Sequence, residues 1–338
     1  MKAAVVHEFK KPLQVEEVDN PTPASDEVLL KIEACGVCHS DLHLAEGDWS
    51  QMLKIVKTPL ILGHEAVGRV VAKGEEVEHL NIGDRVGVAW IHWACGECEM
   101  CREGNENLCS RQIISGATVN GGYAEMMKAK ASHVVAVPDA LTSEEAAPLF
   151  CAGVTVYRAL KQARIEPGQR VAIFGIGGLG HLAVQIARSF GAEVIAIDVA
   201  DDKLQFAREL DAAHTINAAT EKVIPQVQKL GGAHFAVVTS AAKAAYDAAL
   251  YILRPTGTIV VVGLPAEPLT YSAIAMVARE ARMIASSVGT RQDVREVLAL
   301  AAAGKVKCQI ETRNMDNINE IFDEMKQGKL TGRVVLKM

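Results

Sequence analysis

The pattern of apolar and polar residues divides the chain into two parts. Up to about residue 150, segments such as EVLLKIEAC, AVGRVVAKG, DRVGVAW and HVVAVPDA are separated by Gly, Pro and acidic turns, which is typical of short β-strands. From about residue 153, apolar runs such as RVAIFG, EVIAID, HFAVVTS and GTIVVVG alternate with helical patterns such as GLGHLAVQIARSFG and DDKLQFARELDA. This alternation predicts βαβ units around a parallel sheet.

The C-terminal segment carries a third pattern. After about residue 290, DVREVLALAAAGKV and INEIFDEMKQGK predict helices, and GRVVLKM predicts a closing strand. The pattern alone does not assign this segment to the first or to the second part of the chain.

Composition narrows the classes of function. A chain of 338 residues predicts two domains, and its net charge of −6 offers no basic surface for nucleic acid or an anionic membrane. No window reaches the roughly 18 continuous apolar residues of a membrane helix, and the N-terminus has no apolar signal region. We therefore expect a cytoplasmic protein, whose thiols stay reduced.

Four of the 8 cysteines lie in one short stretch, CGECEMCREGNENLC. Cys95, Cys98, Cys101 and Cys109 have the spacing C-x2-C-x2-C-x7-C, which lets one loop surround a tetrahedral zinc ion. Four thiolates would leave no position for water or substrate, so the spacing predicts a structural zinc site. Free or disulfide-bonded cysteines and an iron–sulfur cluster are the weaker alternatives.

The other cysteines are Cys35, Cys38, Cys151 and Cys308. Cys38 and Cys151, together with His64 of LGHEAVG, have the Cys2His composition of a catalytic zinc site, which keeps one position open. Only a fold could bring these three residues together. Buried core residues, a redox pair of Cys35 and Cys38, or half of another metal clip are the alternatives from spacing alone.

A glycine-rich turn in the second part predicts a dinucleotide site. Gly175, Gly177 and Gly180 form G-x-G-x-x-G after a strand and before an amphipathic helix, and Asp198 ends the next strand. The helix N-terminus and the bare backbone at Gly177 favour a pyrophosphate. Asp198 would accept hydrogen bonds from ribose hydroxyls and repel a 2′-phosphate, which predicts NAD rather than NADP. His181, directly after this turn, is expected on the helix surface.

Taken together, CGVCHSDLH, GHEAVG, CGECEMCREGNENLC, FCAGVT and GIGGLG resemble the zinc-containing alcohol dehydrogenases of the medium-chain dehydrogenase/reductase superfamily, in the same order along the chain. The resemblance implies an α/β plus β fold. A GroES-like catalytic domain (1–152, completed by 291–338) would contain an inserted Rossmann domain, a doubly wound parallel sheet (153–290). The active site and the cofactor would then meet in the cleft between the domains.

The resemblance also implies site residues. Cys38, His64 and Cys151 match the catalytic zinc ligands, Glu65 a carboxylate beside the metal and Asp41 the acceptor that orients the ligand histidine. Ser40 matches the hydroxyl that receives the substrate proton, and His43 the outer end of the proton relay. The resemblance adds His39, Thr155 and Arg333 to the cofactor-binding residues that the glycine turn predicts, which are Gly175, Gly177, Gly178, Leu179, Gly180 and Asp198. Lys203 is a further candidate for a ribose contact, with a solvated helix lysine as the alternative. His39 and Arg333 match groups that contact the pyrophosphate.

The implied activity is the reversible, NAD-dependent oxidation of alcohols, with two zinc ions per subunit. Trp49 and Trp90 match bulky pocket positions of the tetrameric bacterial and yeast-like branch, which favours ethanol and other short primary alcohols. A homotetramer is expected by the same resemblance. The alternatives are an aromatic-alcohol, longer-chain or polyol dehydrogenase of this superfamily, and a non-enzymatic zinc- or nucleotide-binding relative.

Overall fold

The structure, a computed structural model, describes residues 1–338, which form two compact units. Unit 1 comprises residues 1–154, 290–303 and 308–338, and unit 2 comprises residues 155–289 and 304–307. The family resemblance implies the corresponding domain boundaries after residues 152 and 290. Within unit 2, residues 304–307 are held by the Gln185 side chain, which accepts from the backbone N–H of Lys307 at 2.8 Å and donates to its carbonyl at 2.9 Å.

Unit 1 consists mainly of short strands. They are β1 Lys2–Val6, β2 Gln14–Glu17, β3 Glu27–Gly36, β4 Leu60–Ile61, β5 Ala66–Lys73, β6 Arg85–Val88, β7 Ile91–Trp93, β8 Ile113–Ile114, β9 Met126–Lys130, β10 Val135–Ala136, β17 Ile310–Asn314 and β18 Arg333–Lys337. Its helices are α1 His39–Glu46, α2 Glu99–Arg102, α3 Ser143–Ala146, α10 Arg291–Ala302 and α11 Ile318–Lys326. Short 3-10 helices are Met52–Lys54, Glu106–Leu108, Ala147–Phe150 and Met315–Asn317.

The strands of unit 1 form three sheets. The largest has the order β10-β6-β5-β3-β18-β17, with β9 also paired to β3, and smaller sheets are β2-β1-β4 and β7-β8. In the large sheet the C-terminal strand β18 is antiparallel to β3, with Val335 opposite Gly36. The C-terminal segment, which the sequence pattern leaves unassigned, therefore completes the sheet that the N-terminal segments begin.

Unit 2 alternates strands and helices. Its strands are β11 Arg170–Phe174, β12 Glu193–Asp198, β13 His214–Asn217, β14 Ala233–Val238, β15 Leu253–Val261 and β16 Arg282–Ala285. Its helices are α5 Gly180–Ser189, α6 Asp201–Glu209, α7 Val223–Lys229, α8 Lys243–Ile252 and α9 Ala273–Arg279, and α4 Ala152–Ala163 begins at the sequence boundary of the unit.

These strands form one parallel sheet of order β13-β12-β11-β14-β15-β16. The order reverses between β11 and β14, and parallel α/β sheets bind ligands beyond the carboxyl ends of the strands at such a reversal. The predicted α/β class with a Rossmann domain is confirmed. The structure contains no helix with the length and apolar character needed to cross a membrane.

Candidate active site

Cys38, His64 and Cys151 lie together in unit 1, although they come from distant segments. Cys38 precedes α1, His64 follows β4, and Cys151 follows the 3-10 helix Ala147–Phe150. The Sγ atoms of Cys38 and Cys151 are 3.8 Å apart, and His64 Nε2 lies 3.2 Å from Cys151 Sγ. With a Glu65 carboxylate oxygen, the donor atoms all lie within 4.8 Å of one another.

This donor set fits a zinc ion with one open position. The thiols are free, and 3.8 Å is far beyond the roughly 2.05 Å of a disulfide bond. Tetrahedral zinc with Zn–S bonds of about 2.3 Å holds neighbouring sulfur atoms about 3.8 Å apart. Two thiols and one imidazole supply three ligands, and the Glu65 Oε2 atom beside them is buried without a hydrogen-bond partner.

The Cys38 thiol is prepared for ionisation by its position at the start of α1. Its Sγ accepts from the Ser40 backbone N–H at 3.5 Å, and the unpaired N–H groups of a helix N-terminus favour a thiolate. A hydrogen bond from Cys151 lowers the pKa of Cys38 well below its usual value, while the pKa of Cys151 rises correspondingly. Cys35 is fully buried outside this group of donors, and burial raises the pKa of its thiol well above normal.

His64 is oriented by Asp41, as the resemblance implies for these two residues. Its Nδ1 lies 3.0 Å from Asp41 Oδ1, and both side chains are fully buried. Burial opposes a positive imidazole, but the Asp41 carboxylate raises the pKa of His64 well above normal. With Nδ1 as the donor to Asp41, the lone pair of Nε2 is directed towards the thiols.

Glu65 is paired with Arg333, a contact between residues 268 positions apart in the sequence. Arg333 donates a hydrogen bond to Glu65, and this guanidinium is itself buried. Burial raises the pKa of Glu65 to about 7, against the opposing charge of Arg333. The structure thus places Arg333 on the carboxylate beside the donor set, while its contact with a pyrophosphate remains a prediction.

The proposed relay residues lie on α1, one turn apart. Ser40 and His43 are half-buried, and the His43 Nδ1 atom lies 2.7 Å from Asp48 Oδ2. The Trp49 ring centroid is 5.4 Å from that of His43, and the Trp90 ring is perpendicular to His64 at 4.9 Å. Both tryptophans are therefore adjacent to the residues that the resemblance assigns to the active site.

The four clustered cysteines form a second donor set in unit 1. Cys95 Sγ lies 3.8 Å from Cys101 Sγ and 3.6 Å from Cys109 Sγ, and the four sulfur atoms lie within 4.8 Å of one another. These separations fit one tetrahedral ion. An iron–sulfur cluster would hold its cysteines further apart, because they bind different iron atoms. Desolvation opposes ionisation of Cys95, but hydrogen bonds from the backbone N–H groups of Cys98 and Glu97 and from neighbouring thiols together lower its pKa to about 6.

The loop that carries these cysteines is tied to α10 by an ion pair. The Arg291 guanidinium donates to both carboxylate oxygens of Glu106, with N–O distances of 2.6 to 3.0 Å, and the Arg291 backbone N–H donates to the same carboxylate at 2.7 Å. Arg291 also donates to the Ser132 carbonyl. Burial opposes ionisation, but the hydrogen bonds from Arg291 hold the pKa of Glu106 below its usual value.

We expect Arg291→Gln to lower the free energy of unfolding near neutral pH by about 1.5–3 kcal/mol, the range for hydrogen bonds to a charged group. Because the pKa of Glu106 is lowered in the folded protein, the pair stabilises the fold fully above the ordinary glutamate pKa. This contribution is lost as the pH falls through the lowered value. Urea titrations at pH 7 and below pH 4.5, followed by tryptophan fluorescence, should show the difference between variant and wild type shrinking in acid.

Arg295→Gln is the matched control, because it makes the same change at an exposed position of the same helix. It should alter the free energy of unfolding little at either pH. A difference for Arg291→Gln that is equally large at both pH values would contradict the role of the Glu106 carboxylate.

In unit 2 the glycine turn lies between β11 and α5. Gly175 has a φ of +87°, and a Cβ at Gly180 would lie 1.8 Å from the Gly175 carbonyl oxygen, so both positions require glycine. A Cβ at Gly177 would point into open space. Gly178 and Leu179 complete the turn into α5. The open space in front of a helix N-terminus fits a dinucleotide pyrophosphate.

Asp198 ends β12 and already accepts three backbone hydrogen bonds. Ile176 N–H, from the glycine turn, donates to Oδ2 at 2.6 Å, and Val199 and Ala200 N–H donate to Oδ1 at 2.7 and 3.1 Å. A carboxylate offers about four lone-pair positions, so one stays free for a hydroxyl. Asp198 therefore links the second strand to the glycine turn and can still contact a ribose.

The remaining predicted cofactor residues lie on three different helices. His39 is exposed at the start of α1, and Thr155 in α4 and Lys203 in α6 are half-buried. The expectation for His181 is wrong, because its side chain is fully buried. Its Nδ1 lies 2.9 Å from the Gly177 carbonyl oxygen, so it holds the glycine turn in place.

Known proteins match the chain over both units. The family described as alcohol dehydrogenase GroES-like domain matches residues 24–139, and the family described as zinc-binding dehydrogenase matches residues 178–303. An alcohol dehydrogenase of Geobacillus stearothermophilus is 50% identical over 339 residues, which cover 100% of both proteins.

Solved structures agree with these matches. The alcohol dehydrogenase of the hyperthermophilic archaeon Aeropyrum pernix superimposes with a TM-score of 0.92 and 36% identity, covering 100% of both chains. Acetophenone reductase from Geotrichum candidum, solved in complex with NAD, gives a TM-score of 0.89 and 32% identity, covering 100% of this chain and 97% of that one.

The donor sets and the glycine turn agree with these comparisons. Cysteine and histidine side chains gather in groups that fit zinc, and the turn between β11 and α5 fits a nicotinamide dinucleotide. The matched relative spans the full length of the chain at half identity. The chain therefore belongs to the zinc-containing alcohol dehydrogenases of the medium-chain dehydrogenase/reductase superfamily.

Proposed function

We propose that this zinc-dependent alcohol dehydrogenase oxidises short primary alcohols such as ethanol reversibly to aldehydes, with NAD. The observation that carries the proposal is the group of Cys38, His64 and Cys151, three ligands for a zinc ion that would keep a fourth position for substrate, with the Trp90 ring beside His64. Each chain would hold two zinc ions, a catalytic one at this group and a structural one at the four clustered cysteines.

The residues around the open position have distinct tasks. When bound, zinc supplies a Lewis acid that lowers the pKa of a hydroxyl, and the dinucleotide supplies a hydride acceptor. The Ser40 hydroxyl, two residues beyond Cys38, would take the proton of the alcohol. Asp48 accepts from His43 Nδ1, which leaves Nε2 of that imidazole as the next acceptor. The half-exposed position of His43 then lets the proton reach water.

The preference for short alcohols rests on the two tryptophans. Trp49 and Trp90 are both partly buried against the core of unit 1, and their rings lie beside His43 and His64. Rigid rings at these positions leave little width for a long or branched side chain. We therefore expect an aromatic-alcohol, longer-chain or polyol substrate to be used less well than ethanol.

The substrate proposal is tested by following NADH absorbance with purified protein. We expect turnover with ethanol and propanol, and kcat/KM that falls steadily towards octanol and is low for benzyl alcohol and sorbitol. A higher kcat/KM for benzyl alcohol or sorbitol would replace the proposal by the corresponding alternative class. Measurement of about two zinc ions per chain in the same preparation tests the two-metal proposal.

The preference for NAD rests on Asp198. Its carboxylate has one free lone-pair position for a ribose hydroxyl and would repel the 2′-phosphate of NADP. Among similar solved structures, acetophenone reductase contains NAD, whereas two others, each 25% identical to this chain, contain NADP or NADP(H), so the proposed preference depends on Asp198 itself.

We expect Asp198→Asn to lower kcat/KM for NAD by about tenfold or more, because a hydrogen bond to a charged acceptor is worth about 1.5–3 kcal/mol. The kcat/KM for NADP should rise, since the repulsion of the phosphate is removed. Steady-state kinetics with both cofactors measure the ratio. Asp202→Asn, an exposed acid in the first turn of α6, is the control and should leave the ratio unchanged. An unchanged ratio in the Asp198 variant would contradict the assignment.

We also propose that the chain forms a homo-oligomer, a tetramer by resemblance to its family, in the cytoplasm. Supporting this, β16 is an edge strand of its sheet, and α9 nearby in sequence exposes Ile274 and Val277 at 83% and 76% of their surface. Unpaired strand edges and exposed apolar side chains are features of interfaces. Light scattering should give a mass near four chains, and Val277→Asp should reduce it; a monomer mass for the wild type would refute the proposal.

A further inference from the structure

Tyr123 is a fully buried side chain held against the segment that carries the histidine ligand. Its backbone N–H donates to the Leu62 carbonyl at 2.9 Å, and its own carbonyl accepts from Ala4 N–H at 2.9 Å. A Cβ at Gly63, the residue before His64, would lie 2.5 Å from the Tyr123 ring. The phenol ring therefore occupies a fixed place beside the His64 backbone.

The Tyr123 hydroxyl donates to Asp41, the carboxylate that orients His64. Asp41 Oδ2 accepts from Tyr123 at 2.8 Å and from the Cys38 backbone N–H at 3.1 Å. Asp41 Oδ1 accepts from His64 Nδ1 at 3.0 Å and from the Gly63 N–H at 3.1 Å. Each carboxylate oxygen thus has two hydrogen-bond donors. Because Asp41 is fully buried, bulk water cannot take the place of a donor that is removed.

We propose that the Tyr123 hydroxyl is a positioning residue for the catalytic zinc, acting through Asp41 on His64. The inference rests on the proposed role of Cys38, His64 and Cys151 as the catalytic zinc ligands. Two of the four donors to Asp41 are backbone groups, and Tyr123 is the side-chain donor besides His64 itself. Without the hydroxyl, Oδ2 keeps a single donor and the carboxylate gains freedom to rotate about its Cβ–Cγ bond. The orientation of the ligand imidazole then becomes less strictly defined.

The test compares zinc release from the wild-type holoenzyme and from Tyr123→Phe, which keeps the ring and removes the hydroxyl. The time course of zinc transfer to a chromophoric chelator is recorded at fixed pH. Cys38→Ala should lack one kinetic phase of this time course, and that phase is assigned to the catalytic zinc. We expect this phase to be about tenfold faster in Tyr123→Phe, the lower end of the effect of losing a partner around a metal ligand. The release phase of the four-cysteine site should be unchanged.

Tyr246→Phe is the matched control. Tyr246 is equally buried, its hydroxyl donates to the Gly263 carbonyl in unit 2, and its loss removes the same chemical group away from the metal ligands. We expect both variants to lower the melting temperature, and only Tyr123→Phe to speed zinc release. Equal release rates in the two variants would mean that Tyr123 has only a structural role, and would overturn the proposal.

A double-mutant cycle with Asp41→Asn tests whether the effect passes through the carboxylate. In the Asp41→Asn background, the added Tyr123→Phe change should speed release less than twofold. A full tenfold effect in that background would overturn the proposal as well. These rates are read from zinc alone, so a failure of the proposed alcohol specificity would leave them interpretable.

Discussion

Cys38→Ala is expected to abolish alcohol oxidation while the fold is retained. Removing this thiol leaves His64 and Cys151, too few ligands for a stable zinc site, and the zinc content should fall from about two ions to one per chain. A Lewis acid that lowers the pKa of a hydroxyl from about 16 to about 7 is worth on the order of 10 kcal/mol, at about 1.36 kcal/mol per unit. We therefore expect kcat to fall by at least about 10³-fold, with unchanged circular dichroism and a nearly unchanged melting temperature.

Cys35→Ala provides the matched control for this prediction. It removes a buried thiol three residues earlier that lies outside both groups of metal donors. Its activity and zinc content should stay near the wild-type values. Measured turnover and metal analysis of the two variants, side by side, separate the loss of a ligand from the loss of a buried sulfur atom. Wild-type turnover in Cys38→Ala would contradict the assignment of the catalytic site.

The parts of the fold that sequence pattern predicts are those with local signals. The strand–helix alternation of residues 170–212 coincides with β11, α5, β12 and α6, because each element buries one continuous apolar run or face. The pattern does not indicate α9, since Ile274 and Val277 of this helix are exposed and do not face the core of the unit.

The residues of the candidate site also differ in how well the sequence predicts them. The four clustered cysteines lie within 15 residues, so their spacing alone indicates a metal site. Cys38 and Cys151 are separated by 113 residues, and His64 and Cys151 by 87, so only the fold or a family resemblance brings them together. The wrong expectation for His181 has a related cause. Residues that follow a glycine turn are often on the surface, but this one packs against the turn itself.

Supporting residues are the hardest to predict. Tyr123 contacts Asp41 across 82 residues, and Arg291 contacts Glu106 across 185. Nothing in the residues around Tyr123 marks its hydroxyl as a partner of a metal-ligand carboxylate, because a buried tyrosine serves equally well as plain core. Local pairs are easier to predict: Asp41 lies three residues after Cys38, and Asp48 five residues after His43.

Cys101→Ala is expected to unfold the loop of the four cysteines before the rest of the protein. This loop has a small apolar core of its own, formed by Ile91, Ala94 and Cys109, so the metal must supply much of its folding energy. Structural zinc contributes about 10–16 kcal/mol in small zinc-finger peptides. We expect one zinc ion to be lost, the melting temperature to fall by many degrees, and trypsin to cut first after Arg102 or Arg111.

Two further variants, Cys109→Ala and Cys38→Ala, serve as comparisons for Cys101→Ala. Cys109→Ala should reproduce the loss of stability, because all four thiols would hold the same ion. Cys38→Ala also loses one zinc ion but should stay resistant to trypsin, whereas freshly prepared Cys101→Ala should keep turnover at low temperature until the loop opens. Loss of a ligand at the group of Cys38, His64 and Cys151 should therefore remove activity and leave the stability of the fold. Loss of a ligand at the four clustered cysteines should lower stability first, and activity only after the loop opens. A Cys101→Ala protein that kept two zinc ions and its melting temperature would show that the clustered thiols do not hold a structural metal.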